Sequence, residues 1–197
     1  MSGWHDLRPV TDETHLREFV ETPHPAIADK AAPLVDAESR RFIAASPLVL
    51  VATTGDDGTI DVSPRGDPPG SVLVSDDGHD LAIPDRRGNR RLDTMRNLLR
   101  DPRAALIFLI PGVQETLRVN GTATVVHDGP FFDRMADAGT RPHLAVVVHV
   151  REVFVHCGQS LNRSRFWRPE SWPDTAEVPS VGTLFSSQAA ARDTART

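Results

Sequence analysis

The chain has 197 residues, 39% of them hydrophobic, and a formal net charge of −5 at pH 7. These values are typical of one globular domain with or without terminal extensions, and they argue against a broad nucleic-acid-binding surface. No apolar run is long enough to span a membrane and no secretory signal is evident, so we expect a cytoplasmic protein that binds no membrane. The single cysteine excludes an internal disulfide bond.

Helices and then short strands are predicted in the first half of the chain. The helices cover residues 12–21 and 36–45, and Asp36 is the expected N-cap of the second. Strands are expected at residues 48–53, 59–62, 71–74 and 80–83. Residues 63–70 contain three prolines and two glycines, a composition that predicts a loop which turns a corner or brings backbone close to a ligand.

An arginine-rich segment follows these strands. Residues 85–91 hold four arginines within six positions, just before a predicted helix at 92–100 with Asn89 as its N-cap. Arg90 and Arg91 then lie at the helix N-terminus, where the helix dipole disfavours positive charge. A compact anion such as a phosphate would offset this cost. The alternative is a solvated run of surface charge.

The second half of the chain predicts longer strands. Strand 103–110 is apolar on both faces, and the next strand alternates between an apolar and a polar face. A helix at 130–138, an apolar strand at 144–155 and a helix at 158–167 follow, and the composition from about residue 186 indicates a disordered tail. These elements predict an antiparallel barrel decorated by helices. Strands that are apolar on both faces need a second buried surface, which a homodimer would provide.

The residues alone leave the chemistry open. The sequence lacks the glycine-rich loops of nucleotide-triphosphate and dinucleotide sites. His149 and His156 are seven residues apart, which predicts opposite faces of a strand and no shared metal ion. No side chain is assigned a catalytic role, and no metal is expected. The arginine-rich segment and the 63–70 loop suit a flat ring with a phosphate tail, as in flavin mononucleotide (FMN), although spacing alone does not identify it.

Five motifs make a family resemblance specific. They are SPRGDPPG at 63–70, IPDRRGNRR at 83–91, PGV at 111–113, ETLRVNG at 115–121 and HCG at 156–158. Together they resemble the FMN-binding split-barrel flavoproteins related to pyridoxamine 5′-phosphate oxidase, and bacterial members above all. The resemblance covers about residues 36–172. Residues 1–35 are therefore expected to form an N-terminal helical extension, and residues 173–197 a partly disordered C-terminal extension.

The resemblance implies a mainly β fold, a six-stranded antiparallel split barrel, which forms a homodimer with FMN in a groove at the subunit interface. It implies that the phosphate is held by Asn89, Arg90 and Arg91. The ring and ribityl chain are expected beside Pro64, Arg65, Gly66, Asp67, Pro84, Asp85 and Arg86. Further contacts are expected from Thr116, Gln159, Ser160, Arg163, Ser164 and Trp167, the last three from the partner subunit. Gln159 and Ser160 replace a Lys-Ala pair of the relatives, which removes a cation near the flavin.

The function implied by the resemblance is that of an FMN-dependent oxidoreductase. It would transfer a hydride or electrons through the flavin to a small-molecule substrate, with NAD(P)H as a candidate donor. Two alternatives stay open: a non-catalytic flavin or haem carrier or sensor, and a deazaflavin-dependent reductase on the same fold. Vitamin B6 oxidation is not predicted, because the C-terminal Arg-Leu-x-Pro ending of authentic pyridoxamine-phosphate oxidases is missing.

Overall fold

The computed structural model describes residues 6–195 and shows one antiparallel sheet surrounded by short helices. The strands are β1 (Leu48–Thr54), β2 (Ile60–Gly66), β3 (Leu73–Val74), β4 (Asp80–Pro84), β5 (Arg103–Leu109), β6 (Thr116–Val126) and β7 (Ala145–His156). The helices are α1 (Glu13–Arg17), α2 (Pro25–Ala28), α3 (Ala37–Ala45), α4 (Asp93–Leu98), α5 (Gln159–Arg163) and α6 (Val181–Thr194). None of the helices within residues 6–195 has the length and apolar composition needed to cross a membrane.

The sheet is open along one side. Its strand order is β2-β1-β5-β6-β7-β4-β3, and neighbouring strands are antiparallel. β2 and β3 form the two edges, and within the described residues no strand pairing joins them. The predicted mainly β split barrel with helices is confirmed. It has seven strands rather than six, because the two-residue β3 adds a short strand beside β4.

The core lies on one face of the sheet. Leu106 and Phe108 of β5 and Val119 of β6 are completely buried there. The alternating pattern of β6 predicted this for Val119, whereas β5 was predicted to be apolar on both faces. α3 covers this face with Ile43, and α4 covers it with Met95. Burial of this apolar surface, at about 25 cal/mol per Å², fixes α4 against the sheet. The start of α4 is thereby held beside β2.

The opposite face of β2, β1 and β5 also carries apolar side chains. Ile60 and Val62 of β2 are 75% and 56% exposed. Leu50 of β1 and Ile107 of β5 are aligned with each other on this face and are partly buried. The predicted homodimer would cover this surface, and that assembly stays a prediction.

The structure differs from several local predictions. Residues 63–66 belong to β2 rather than to a loop, and Pro64 is tolerated because β2 is an edge strand that pairs on one side. The predicted helix at 130–138 is only a 3-10 turn, Phe132–Met135. α6 covers most of the segment for which the composition indicated disorder. Ser180 caps this helix, which contains an alanine run and has no buried residue. The proposed extension boundaries stay predictions.

A β-bulge in β7 overturns the predicted orientation of two histidines. Opposite Asn120 and Gly121 of β6, the pairing skips Arg151 of β7. This extra residue reverses the alternation of side chains, so His149 and His156 lie on the same face of the sheet rather than on opposite faces. They lie at distant points of the strand, and no cluster of three or more metal-binding side chains occurs among the described residues.

Candidate functional site

Two adjoining cavities lie where the end of β2 approaches the end of β4. The larger has a volume of about 860 Å³ and the smaller about 200 Å³. Their shared lining consists of Pro64, Arg65, Arg86, Arg87 and Gly88. The two cavities therefore form one continuous groove along the split of the barrel.

Many of the predicted cofactor-binding residues line this groove. The larger cavity contacts Pro64, Arg65, Asp85, Arg86, Asn89 and Arg90. The smaller cavity contacts Pro64, Arg65, Gly66, Asp67, Pro84 and Arg86. The predicted residues outside both linings are Arg91, Thr116, Gln159, Ser160, Arg163, Ser164 and Trp167. A single chain thus brings together the predicted residues that line the two cavities, whereas the predicted residues outside the linings do not reach the groove.

Two ion pairs cross the groove. Arg65 on β2 lies 3.4 Å from Asp85, which follows β4, and Asp67, which follows β2, lies 2.6 Å from Arg86. Both arginines have a second anchor. Arg65 donates to Thr94 Oγ1 at 3.0 Å, and Arg86 donates to the Met135 carbonyl oxygen at 2.9 Å. The sequence predicted these residues to lie beside a cofactor but did not predict that they pair.

The two carboxylates of these pairs are not equivalent. Burial raises the pKa of Asp85, and the nearby Arg65 guanidinium offsets this only in part. The Asp85 pair is also the longer of the two, at 3.4 Å against 2.6 Å. Although Arg65 attracts the carboxylate, desolvation is the larger effect. The Asp67–Arg86 pair is therefore the stronger connection.

The arginine-rich segment adopts a conformation different from the predicted one. α4 begins at Asp93, and its N-cap is Leu92 in a left-handed conformation at φ 59°, so Asn89 is not the cap. Asn89 instead accepts a hydrogen bond from the backbone N–H of Arg91 at 3.0 Å. The four arginines of residues 85–91 precede α4, and the first turn of α4 carries the acidic residue Asp93. The expected conflict with the helix dipole is thus largely avoided, and any case for an anion rests on the arginine side chains.

These arginines differ in their partners. Arg91 Nε lies 2.7 Å from Asp93, whose pKa this contact lowers. Arg87 and Arg90 are exposed at the larger cavity, and neither has an acidic partner within the described part of the chain. Arg87 was not among the predicted binding residues. Arg87 and Arg90, rather than Arg91, are free to bind an anion in the groove.

The far wall of the larger cavity comes from a segment that the sequence analysis missed. It includes Asp137, Thr140, Arg141 and His143. Arg141 pairs with Asp128 at 2.5 Å and stacks on the Phe132 ring at 4.9 Å, which fixes this wall. Gly139 and Thr140 indicate a turn, which was the only local sign that this segment has a defined structure. Nothing in residues 137–143 indicates which distant segment they face, so the sequence did not predict this wall.

Six of the predicted residues outside both linings, all but Arg91, lie at the other end of β7. Thr116 pairs with His156, whereas Pro84, beside the groove, pairs with Ala145 at the start of the same strand. Trp167 donates from its ring nitrogen to the Val113 carbonyl oxygen at 2.8 Å. This group is therefore separated from the groove by nearly the length of β7 within one chain.

Comparisons with known proteins agree with this architecture. The family described as pyridoxamine 5′-phosphate oxidase matches residues 35–157. A solved structure of HupZ from Group A Streptococcus is 18% identical, with 62% of this chain and 94% of that chain covered and a TM-score of 0.50. A candidate pyridoxamine 5′-phosphate oxidase from Lactobacillus delbrueckii is 23% identical, with 64% and 98% covered and a TM-score of 0.50. At these identities the structures show a shared fold alone. No curated protein matches the sequence.

Proposed function

This chain belongs to the pyridoxamine 5′-phosphate oxidase family, and from that premise we propose that it is an FMN-dependent oxidoreductase. The groove at the split of the barrel is its cofactor site, with the phosphate in the larger cavity and the flavin ring towards the smaller one. The substrate is a small molecule, and NAD(P)H is a candidate electron donor.

The observation that carries this proposal is the pair of unpartnered arginines at the larger cavity. Arg87 and Arg90 face a space of about 860 Å³ without a carboxylate partner among the described residues. Guanidinium groups bind phosphate through charge-assisted, bidentate hydrogen bonds. Beside them the smaller cavity is lined by Pro64, Pro84 and aliphatic side chains such as Val49, which suit an apolar ring.

We further propose that the working form is a homodimer. The outer face of β2, β1 and β5 offers apolar side chains for a second copy, including Ile60 and Val62. On β6, the neighbouring Arg118 Nε and Asn120 Oδ1 are buried without a hydrogen-bond partner in the described structure, which favours partners from another chain. A second copy would also supply the predicted group around Trp167 to the groove.

In this proposal the chain binds and orients the cofactor, and its residues have distinct roles. When bound, FMN supplies hydride or electron transfer at its ring. Arg87 and Arg90 hold the phosphate, while Asn89 positions their loop through the bond to the Arg91 backbone. Arg65 and Arg86 are held by their carboxylate partners at the ring end of the groove. No side chain is assigned as a general acid or base.

The first experiment records the visible absorption spectrum of the purified protein and identifies any released chromophore by mass. We expect a flavin spectrum and FMN released in stoichiometric amount. A deazaflavin or haem in its place would overturn the FMN assignment. A colourless protein that also fails to bind added FMN would refute the cofactor site itself.

The second experiment separates an enzyme from a carrier. The FMN-loaded protein is mixed anaerobically with NADH or NADPH, and flavin bleaching is followed, with dithionite reduction as the control for a redox-competent flavin. We expect at least one of the two donors to reduce the flavin at a rate that saturates with donor. Reduction by dithionite alone, with no turnover of any tested acceptor, would favour the carrier function.

A further inference from the structure

The two ion pairs across the groove join the end of β2 to the segment after β4, which no backbone pairing joins within the described residues. β2 is the first strand of the sheet order and β4 the sixth, so four strands, β1, β5, β6 and β7, lie between them. Each side contributes one arginine and one aspartate: Arg65 at the end of β2 with Asp67 just after it, and Asp85 with Arg86 after β4. All four residues line one or both cavities, and Arg65 and Arg86 line both.

These pairs are sheltered enough to act as connections. The side chains of Arg65 and Asp85 are 26% and 18% exposed, and those of Arg86 and Asp67 are 27% and 19% exposed. Charges that are partly removed from water are screened less by salt than surface charges. By contrast, Arg100 and Asp56, another long-range pair, are 49% and 65% exposed.

Each arginine is also tied to a third element. Arg65 reaches α4 through Thr94, a buried residue, and Arg86 reaches the 3-10 turn through the Met135 carbonyl oxygen. The arginines are therefore held in place on both sides of the groove. Breaking the carboxylate contacts would release the end of β2 from the segment after β4. Its remaining support is its pairing with β1, the bond from Arg65 to Thr94 and the hydrogen bond from Asp67 N to the Pro47 carbonyl oxygen.

We infer that Arg65–Asp85 and Asp67–Arg86 form an electrostatic latch that holds the two sides of the split barrel together over the groove and sets how fast a bound cofactor leaves. The inference rests on the proposed function for the cofactor, but the latch itself is a property of the chain. It makes Asp67 and Asp85 positioning residues, which act through their arginines rather than by touching the ligand.

The test measures FMN release from the loaded full-length protein, by dilution into excess riboflavin, for Asp67→Asn, Arg86→Gln and the double variant. Asp67→Asn keeps the side-chain size and leaves the Arg86 contact with Met135 in place. We expect release to accelerate about tenfold in Asp67→Asn and at least as much in Arg86→Gln, which also loses the Met135 contact. The double variant should match Arg86→Gln, because the contact of Asp67 is already lost in it. Asp85→Asn should have the smaller effect, since its contact with Arg65 is the longer one, at 3.4 Å against 2.6 Å for Asp67 and Arg86.

A matched control and a second measurement keep this test independent of the cofactor. Asp56→Asn removes one charge from the Arg100 pair, which lines neither cavity, and should leave release unchanged. In cofactor-free protein, hydrogen exchange should accelerate at residues 65–67 and 85–88 in Asp67→Asn, while the centres of β6 and β7 stay protected.

The outcomes distinguish the two ideas. Faster exchange at both sides of the groove in a protein that never binds FMN supports the latch and refutes the proposed cofactor. Normal FMN binding with unchanged release and exchange in Asp67→Asn overturns the latch. An increase in the double variant near the product of the two single increases would show that the two residues act independently, which also overturns the latch.

Discussion

Substitution of single arginines tests which of them binds the phosphate. We compare Arg90→Gln with Arg91→Gln, since the two residues are neighbours in sequence but differ in the structure. Arg90 lines the larger cavity without an acidic partner in the described chain, whereas Arg91 lies outside both cavities and pairs with Asp93 at 2.7 Å. Glutamine retains much of the side-chain length and polarity, so the comparison isolates the charge.

The expected magnitude follows from one charge-assisted contact. A hydrogen bond to a charged group contributes about 1.5–3 kcal/mol, which corresponds to about 10- to 150-fold in a dissociation constant. Arg90→Gln should weaken FMN binding within that range, and Arg87→Gln should do the same. Arg91→Gln should change the FMN dissociation constant by less than about threefold, because the Arg91 charge is already paired with Asp93.

Riboflavin provides the control within the assay, because it has the flavin ring and ribityl chain but no phosphate. Dissociation constants for FMN and riboflavin are measured by fluorescence titration of cofactor-free protein. Arg90→Gln should weaken FMN binding alone and leave riboflavin binding within about twofold, since the lost contact is to phosphate. An equal loss for both ligands, or an equal effect of Arg90→Gln and Arg91→Gln on FMN, would refute the phosphate assignment.

Three further predictions concern assembly, packing and pH. Val62→Asp places a charge on the exposed apolar face of β2. It should raise the dimer dissociation constant, measured by light scattering, more than about 100-fold, because a buried unpaired charge costs several kcal/mol. An unchanged dimer would exclude this face as the dimer interface. Gly121→Ala should cost about 3 kcal/mol or more in urea unfolding, since the new Cβ would clash with the His149 carbonyl oxygen, and a neutral result would contradict the bulge geometry. The Arg103 side chain and backbone N–H lower the pKa of Asp101 to about 2, so its contribution to stability is present above its unfolded pKa and is lost as the pH falls towards 2. Carboxyl NMR titration should show this value in the native protein and a higher one in Arg103→Gln.

Much of the fold could be predicted because alternation along a strand is a local property. The strand around Leu106 was predicted with nearly correct bounds, and the alternation of the strand around Val119 was also predicted. Asp36 caps α3, as predicted, by accepting from the backbone N–H groups of residues 38 and 39. The periodicity of burial along a strand relates side chains that are two residues apart. A helix cap joins one side chain to backbone N–H groups two or three residues further along the chain. Both distances lie within a short window of sequence.

The structure of the site was less predictable, although its location was predicted. The arginine-rich segment and the 63–70 motif do line one groove. Which arginine is free was not evident, because Arg86 is neutralised by Asp67, 19 residues away, and Arg65 by Asp85, 20 residues away. The far wall around Arg141 was missed for the same reason.

The sequence by itself determined the strand pattern, the position of the cationic segment and, through its motifs, the family. Tertiary structure alone decided the register, through the extra residue Arg151 in β7, and the tolerance of Pro64, through the edge position of β2. It also decided which charges meet across the split. Side-chain periodicity is set by neighbours along the chain, whereas register, edge position and ion pairing are set by segments that approach each other only when the whole sheet has formed.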